Sequence, residues 1–185
     1  FRRVMVNKPI IMGVLNVTPD SFSDGGLFIE SSSAIAQAKI MVEEGAGIID
    51  IGGESTRPGA PEVSVENELK RVMPVIEALS GNINVPISID TSKPEVMQKA
   101  FEAGASIIND VNALRAEGAV EMAVSLRADV CLMHMQGTPR TMQNNPSYEN
   151  VVSDIKFFFQ KRNILNLIIN QFVVKCLSLE KLKHQ

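Results

Sequence analysis

Cysteine is nearly absent from this 185-residue chain: only Cys131 and Cys176 occur, far apart and outside any metal-spaced cluster. That excludes a disulfide-stapled scaffold and makes a reducing cytoplasm the expected setting. Basic charge is not in excess either. A formal net charge of -3 and a pI near 5.5 argue against a nucleic-acid or acidic-membrane partner. No run reaches the roughly 18 apolar residues that a membrane span needs. The opening Phe1-Arg2-Arg3 has no methionine and no apolar signal core behind it, so the sequence is expected to begin inside a longer reading frame. Glycine and proline also run out: all 12 glycines and all 9 prolines lie before Ser147. What is present, 45% hydrophobic and 21% charged residues, fits one soluble globular domain.

The stretch from Ile10 to Gly26 is the most informative. Its apolar run, Ile10 to Leu15, predicts a strand buried on both faces, as in a parallel sheet. It ends on Asn16 and passes into a loop with two acids, two serines, Phe22 and a Gly-Gly pair. Helical spacing then covers Ser33 to Glu44, with Ser31 to Ser33 as candidate N-caps and Gly45 as the stop. The next strand, Ile48 to Ile51, leads into the turn-rich loop from Gly52 to Ala60. A helix from about Ser64 to Leu79 follows, opened by Ser64-x-x-Asn67 with Glu66 and Glu68 near its positive end. Strand three is Pro86 to Asp90, with Thr91 or Ser92 as cap for the helix Pro94 to Ala103. Strand four is Ser106 to Asp110, a helix spans about Ala119 to Ala128, and strand five is Val130 to His134. Another helix begins near Tyr148.

Five consecutive strand–helix units with short turns predict a parallel sheet with right-handed crossovers. Each strand ends in polar or small residues: Asn16, Gly52-Gly53-Glu54, Asp90, Asn109-Asp110 and His134. That pattern favours an α/β fold of the (β/α)8 TIM-barrel type, whose sites gather at one rim. A doubly wound sheet, with its site at a single switch point, is the alternative. Taken singly, these residues also fit ordinary structural roles. Asn16 and Asn109 could cap turns, Asp90 could be an N-cap, and His134 could be a satisfied core histidine. Lys93 and Arg71 read as solvated helix charges. Asp50, inside an apolar strand, needs a partner in any reading. Coincidence favours the functional view, because these groups fall at the same end of successive strands.

Two loops bring a family into view. Gly13-Val14-Leu15-Asn16-Val17-Thr18-Pro19-Asp20-Ser21-Phe22-Ser23-Asp24-Gly25-Gly26 resembles the first signature of dihydropteroate synthases, and Gly47 to Gly59, with Gly52-Gly53-Glu54-Ser55-Thr56-Arg57-Pro58-Gly59 at its end, resembles the second. Ser88-Ile89-Asp90-Thr91-Ser92-Lys93-Pro94, Ile108-Asn109-Asp110 and Leu132-Met133-His134-Met135-Gln136-Gly137 match further blocks in order. Five ordered blocks are far more specific than any lone motif. The resemblance implies a (β/α)8 barrel that joins 6-hydroxymethyl-7,8-dihydropterin pyrophosphate to p-aminobenzoate, the folate-pathway step that sulfonamides inhibit. It further implies that Asp90 and Asn109 bind the pterin ring with Met133 nearby, and that Asn16 binds magnesium. Thr56 and Arg57 would hold the pyrophosphate or the substrate loop, and Phe22 and Pro58 would form the p-aminobenzoate pocket. Asp24 joins Asp90, Asn109 and Arg57 in the implied catalytic set. Family members pair as homodimers.

The resemblance covers residues up to about Arg162. No Asp-Pro-Gly-x-Gly-Phe-Gly-Lys, Ser-Arg-Lys-Ser or Arg-x-His block follows. The expected organisation is therefore a barrel portion over 1–162, about five βα units, and an atypical helical tail over 163–185 that resembles a changed reading frame. A barrel of eight units takes about 250 residues. Such a portion leaves an open strand edge, so the alternative expectation is a pterin-binding fragment with impaired catalysis.

Overall fold

The computed structural model describes residues 9–18, 26–55, 60–138, 141–142, 144–161 and 173–176. Six strands alternate with five helices: β1 (Met12–Asn16), α1 (Gly26–Glu43), β2 (Ile48–Gly52), α2 (Val65–Leu79), β3 (Ile87–Asp90), α3 (Pro94–Glu102), β4 (Ile107–Asp110), α4 (Ala119–Ser125), β5 (Asp129–Met133), α5 (Val151–Lys161) and β6 (Val173–Cys176). The strands form one sheet in the order β1-β2-β3-β4-β5-β6, and every neighbouring pair is parallel. Strand order never reverses, so there is no switch point and the doubly wound alternative is excluded. Sequential helices pack on one another, α1 on α2, α2 on α3 and α3 on α4, as they do around a barrel wall. No described helix is long and apolar enough to cross a membrane.

Side chains alternate across a strand, so the register sorts the sheet into two faces. Leu15, Ile49, Ile51, Ile89, Ile108, Val130 and Leu132 are buried in the cluster that includes Ala34, Ala38, Val72, Ile76 and Met97 from the helices. Gly13 belongs to this face: a Cβ there would meet Met41 Sδ at 3.0 Å. The opposite face carries Val14, Asn16, Asp50, Gly52, Ser88, Asp90, Asn109, Cys131 and Met133, and it is mostly polar.

Four sequence expectations need correction here. β1 is not buried on both faces: Ile10, Ile11 and Val14 are 56%, 65% and 54% exposed. It pairs only with β2 among the described strands, so one edge and one face face solvent. α1 starts at Gly26, which puts Ser31 to Ser33 inside the helix rather than at its cap. α3 begins after Lys93, with no side-chain cap. Thr91 Oγ1 instead accepts from the Lys93 backbone N–H at 3.2 Å, and Ser92 donates to Asp110. The tail, expected to be helical, supplies β6, which pairs with β5 from Val130↔Val173 to Met133↔Cys176. The β-branched pair Val173-Val174 suits a strand. By contrast, α2 opens as its sequence predicts, with Asn67 N–H donating to Ser64 Oγ at 3.3 Å.

Candidate active site at the C-terminal ends of the strands

Asn16, Gly52, Asp90, Asn109 and Cys131 occupy one register row across β1 to β5, each paired with the next. Asp50 and Ser88 form the row beneath, paired with each other. The strands therefore bring a polar floor and rim to one face, at the end where parallel α/β folds place their chemistry. Gly52 leaves a slot in the rim. A Cβ there would lie 3.5 Å from Asn16 Oδ1 and 3.5 Å from Asp90 Oδ2, so the carboxamide of one strand faces the carboxylate of another across glycine backbone.

Asn109 Nδ2 donates to Asp50 Oδ2 at 2.8 Å, well inside the protein. This supplies the partner that Asp50 needs, and it fixes which end of the Asn109 amide is turned away. The other end, Oδ1, has no hydrogen-bond partner, nor do Asp50 Oδ1 and Ser88 Oγ, although all three are buried. Asp50 is pushed above the usual carboxylate range by burial. The Ser88 hydroxyl, close but short of hydrogen-bond geometry, and the Asn109 amide pull it partly back. Asp90 is pushed up further, first by burial and then by the negative charges of Asp50, Asp110, Glu68 and Glu54. Nothing donates to its carboxyl to offset this. A partly exposed carboxyl, crowded by like charges and lacking a hydrogen-bond partner, is poised to accept donors from a ligand. Met133 lies on the same face, two residues beyond Cys131, and is partly buried.

Other strand-end groups belong elsewhere. Asp110 points to the helical side, where Ser92 Oγ (2.5 Å), Asn112 N–H (2.8 Å) and Leu114 N–H (2.7 Å) all donate to it. It organises the turn after β4, in which Ala113 and Leu114 hold positive φ. His134 faces Tyr148, with Nε2 and the phenol oxygen 3.2 Å apart, and packs edge-on against Phe158. Burial lowers its pKa, and its role is structural. The expectation that Lys93 and Arg71 are solvated is wrong. Lys93 Nζ pairs with Glu54 and, at 2.5 Å, with Glu68, and Arg71 Nη1 donates to Gly53 O at 2.7 Å. Sequence reasoning also missed Glu68, which is fully buried. Its signal was present: Glu68 shares the spacing of Val72, Val75, Ile76 and Leu79, so it sits on the apolar stripe of α2. Phe22, Asp24, Thr56, Arg57 and Pro58 lie outside the described residues. No group of three or more His, Cys, Asp or Glu among the described residues is arranged to hold a metal.

The profile of the family described as pterin binding enzyme matches residues 12–168. The chain belongs to that family. Dihydropteroate synthase of Haemophilus influenzae is 57% identical over 157 residues, covering 85% of this chain and 57% of the relative. The Escherichia coli dihydropteroate synthase is 53% identical over 154 residues, covering 83% and 55%. The chain thus spans a little over half the length of the curated relatives it matches. Among solved structures, the Yersinia pestis dihydropteroate synthase in complex with a sulfonamide drug superposes with a TM-score of 0.82 at 48% identity, over 90% of this chain and 62% of that one. The Xanthomonas albilineans dihydropteroate synthase with 4-aminobenzoic acid gives 0.80 at 46%, over 91% and 61%. These likenesses accord with the barrel-type architecture read from the strand order, and the polar rim lies where a pterin-binding enzyme needs a site.

Proposed function

We propose that the chain is part of a dihydropteroate synthase, which joins 6-hydroxymethyl-7,8-dihydropterin pyrophosphate to p-aminobenzoate with release of pyrophosphate. One observation carries the reading: the Asp90 carboxyl, with nothing donating to it, sits beside an Asn109 whose carboxamide oxygen is also unbonded. A pterin presents a guanidine-like edge of donors, which a carboxylate accepts in pairs, and the neighbouring amide oxygen can accept one more. The names of the relatives support the same reaction, and the neighbours solved with a sulfonamide and with 4-aminobenzoic acid support an aromatic amine as second substrate.

Leaving pyrophosphate calls for positive charge. Asn16 would hold a magnesium ion, because it offers one exposed hard oxygen across the Gly52 slot from Asp90. A single protein ligand of this kind suits magnesium, which keeps most of its waters and takes substrate phosphate oxygens. When bound, magnesium supplies neutralisation of the leaving group's charge. The chain's own residues orient the reactants. Asp90 and Asn109 hold the ring so that the methylene–oxygen bond to pyrophosphate points toward the rim. Thr56 and Arg57 meet the departing phosphates, and Phe22 and Pro58 stack the aminobenzoate ring. The aniline nitrogen then forms the new bond to the methylene carbon and its proton passes to solvent. Positioning and electrostatics account for the protein's share.

A second reading, a pterin-binding fragment without turnover, is favoured by the solvent-exposed edge and face of β1. One experiment separates the two: titrate the purified chain with the pterin pyrophosphate, then add p-aminobenzoate and magnesium and measure pyrophosphate. Binding with release supports the synthase, binding without release supports the fragment, and absence of pterin binding sinks both.

A further inference from the structure

The loop after β2 is tied to α2 and α3 by charged groups that the pterin site does not use. Glu54 Oε1 accepts the backbone N–H of Val63 at 3.1 Å, joining two points nine residues apart just before the N-cap Ser64. Its other oxygen meets Lys93 Nζ at the start of α3. Lys93 also donates to Glu68 Oε2 at 2.5 Å, and Glu68 has no exposed surface. Arg71 of α2 holds the carbonyl of Gly53 at 2.7 Å. Gly53 itself lies flat on α2: a Cβ there would come 2.8 Å from Val72 Cγ1 and 3.0 Å from Glu68 Cγ.

This arrangement is poorly explained by stability alone. A wholly buried glutamate costs more than a well-packed leucine would, even when paired. Glu68 Oε1 is in addition left without a hydrogen bond. Two acids share one base, so the cluster carries a net negative charge, and Lys93 spends two of its three donors on carboxylates. Burial disfavours its charged form, yet the hydrogen bonds and charges of both glutamates outweigh that and raise its pKa above the ordinary value. Lys93 therefore stays charged and occupied, which makes it a poor ligand for a substrate phosphate. Its geometry is that of a clamp between β2, α2 and α3.

We propose that Glu54, Lys93 and Glu68 are positioning residues that fix both stems of the 54–63 segment, so that Thr56 and Arg57 are presented to the pyrophosphate. The proposal rests on the synthase reading. The test compares the intact chain with Glu54→Ala, Glu54→Gln and Lys93→Met in the same magnesium-containing buffer. Two affinities are measured, for 6-hydroxymethyl-7,8-dihydropterin and for its pyrophosphate, and hydrogen exchange is followed at amides 60–63. The ratio of the two affinities reads only what the pyrophosphate contributes. Losing charge-assisted contacts to that group should lower the ratio about tenfold in Glu54→Ala and Lys93→Met, while pterin affinity stays within about twofold. Glu54→Gln keeps an acceptor for Val63 and should restore slow exchange there with only part of the ratio. An unchanged ratio overturns the proposal, and so does an equal loss of both affinities with a lowered Tm, which would mark a merely structural role. If the unsubstituted chain binds no pterin, the synthase reading fails on its own. Exchange at Val63 then decides the clamp: faster in Glu54→Ala supports it, unchanged overturns it.

Discussion

Replacing Asp90 with asparagine should make this protein more stable and less able to bind pterin, a combination that a purely structural aspartate would not give. Asp90 lies among the charges of Asp50, Asp110, Glu68 and Glu54, and burial adds to their repulsion. Its folded pKa is raised, so the folded state holds the proton more tightly than the unfolded chain does. The carboxyl's contribution is favourable at low pH and is lost as pH rises from the usual 3.8 through the raised folded value. At neutral pH it opposes folding. Asn keeps the shape and removes the charge, and relief of this kind at functional sites is worth about 1 kcal/mol. For a domain of this size that is roughly 2–4 °C in Tm. The gain should be present at neutral pH and vanish as the wild-type carboxyl becomes protonated. Binding moves the other way: a hydrogen bond to a charged acceptor is worth about 1.5–3 kcal/mol, so pterin affinity should fall roughly 10- to 150-fold. Differential scanning calorimetry across pH and isothermal titration with a dihydropterin measure both. A lower Tm for D90N at neutral pH, or unchanged pterin affinity, would refute the reasoning.

Three further outcomes follow from the same geometry. Pterin affinity of the unsubstituted chain should weaken with falling pH at a higher pH than an ordinary aspartate would dictate, because ligand donors need Asp90 ionised and its pKa is raised; titrations at several pH values check this. Asp110→Ala strips acceptors from two backbone N–H groups and Ser92 and should cost about 3–5 kcal/mol, read as a shift in the urea midpoint at unchanged m-value. Gly53→Ala places a methyl 2.8 Å from Val72 Cγ1 and 3.0 Å from Glu68 Cγ and should cost about 1–3 kcal/mol by the same measurement.

The strand–helix rhythm and the polar strand ends were legible because both are local: apolar runs of a few residues, punctuated by glycine, announce buried parallel strands. Which strand-end groups share a site was not local. Asn109 and Asp110 are adjacent in sequence, yet alternation sends one to the site and the other to the turn after β4. Only the register with Asp50 and Ser88 decides between them. Lys93 and Arg71 look like surface charges until the stems of the second loop fold against α2. The exposure of Val14 was equally hidden, since burial of a strand depends on neighbours that its own residues do not encode. Val173 to Cys176 carried too weak a pattern to announce a strand, and pairing with β5 makes it one.

Strand order in this sheet follows chain order without exception, and that bears on how the molecule is made. Each strand finds its partner one helix away along the chain, so no pairing has to wait for a distant segment. Such short-range closure favours fast docking. During synthesis each emerging βα unit meets an edge already prepared to receive it, and the pterin-facing row lengthens by one residue at a time. Asp90 and Asn109 can thus come together as soon as β4 has paired with β3, before the residues of β5 have been added.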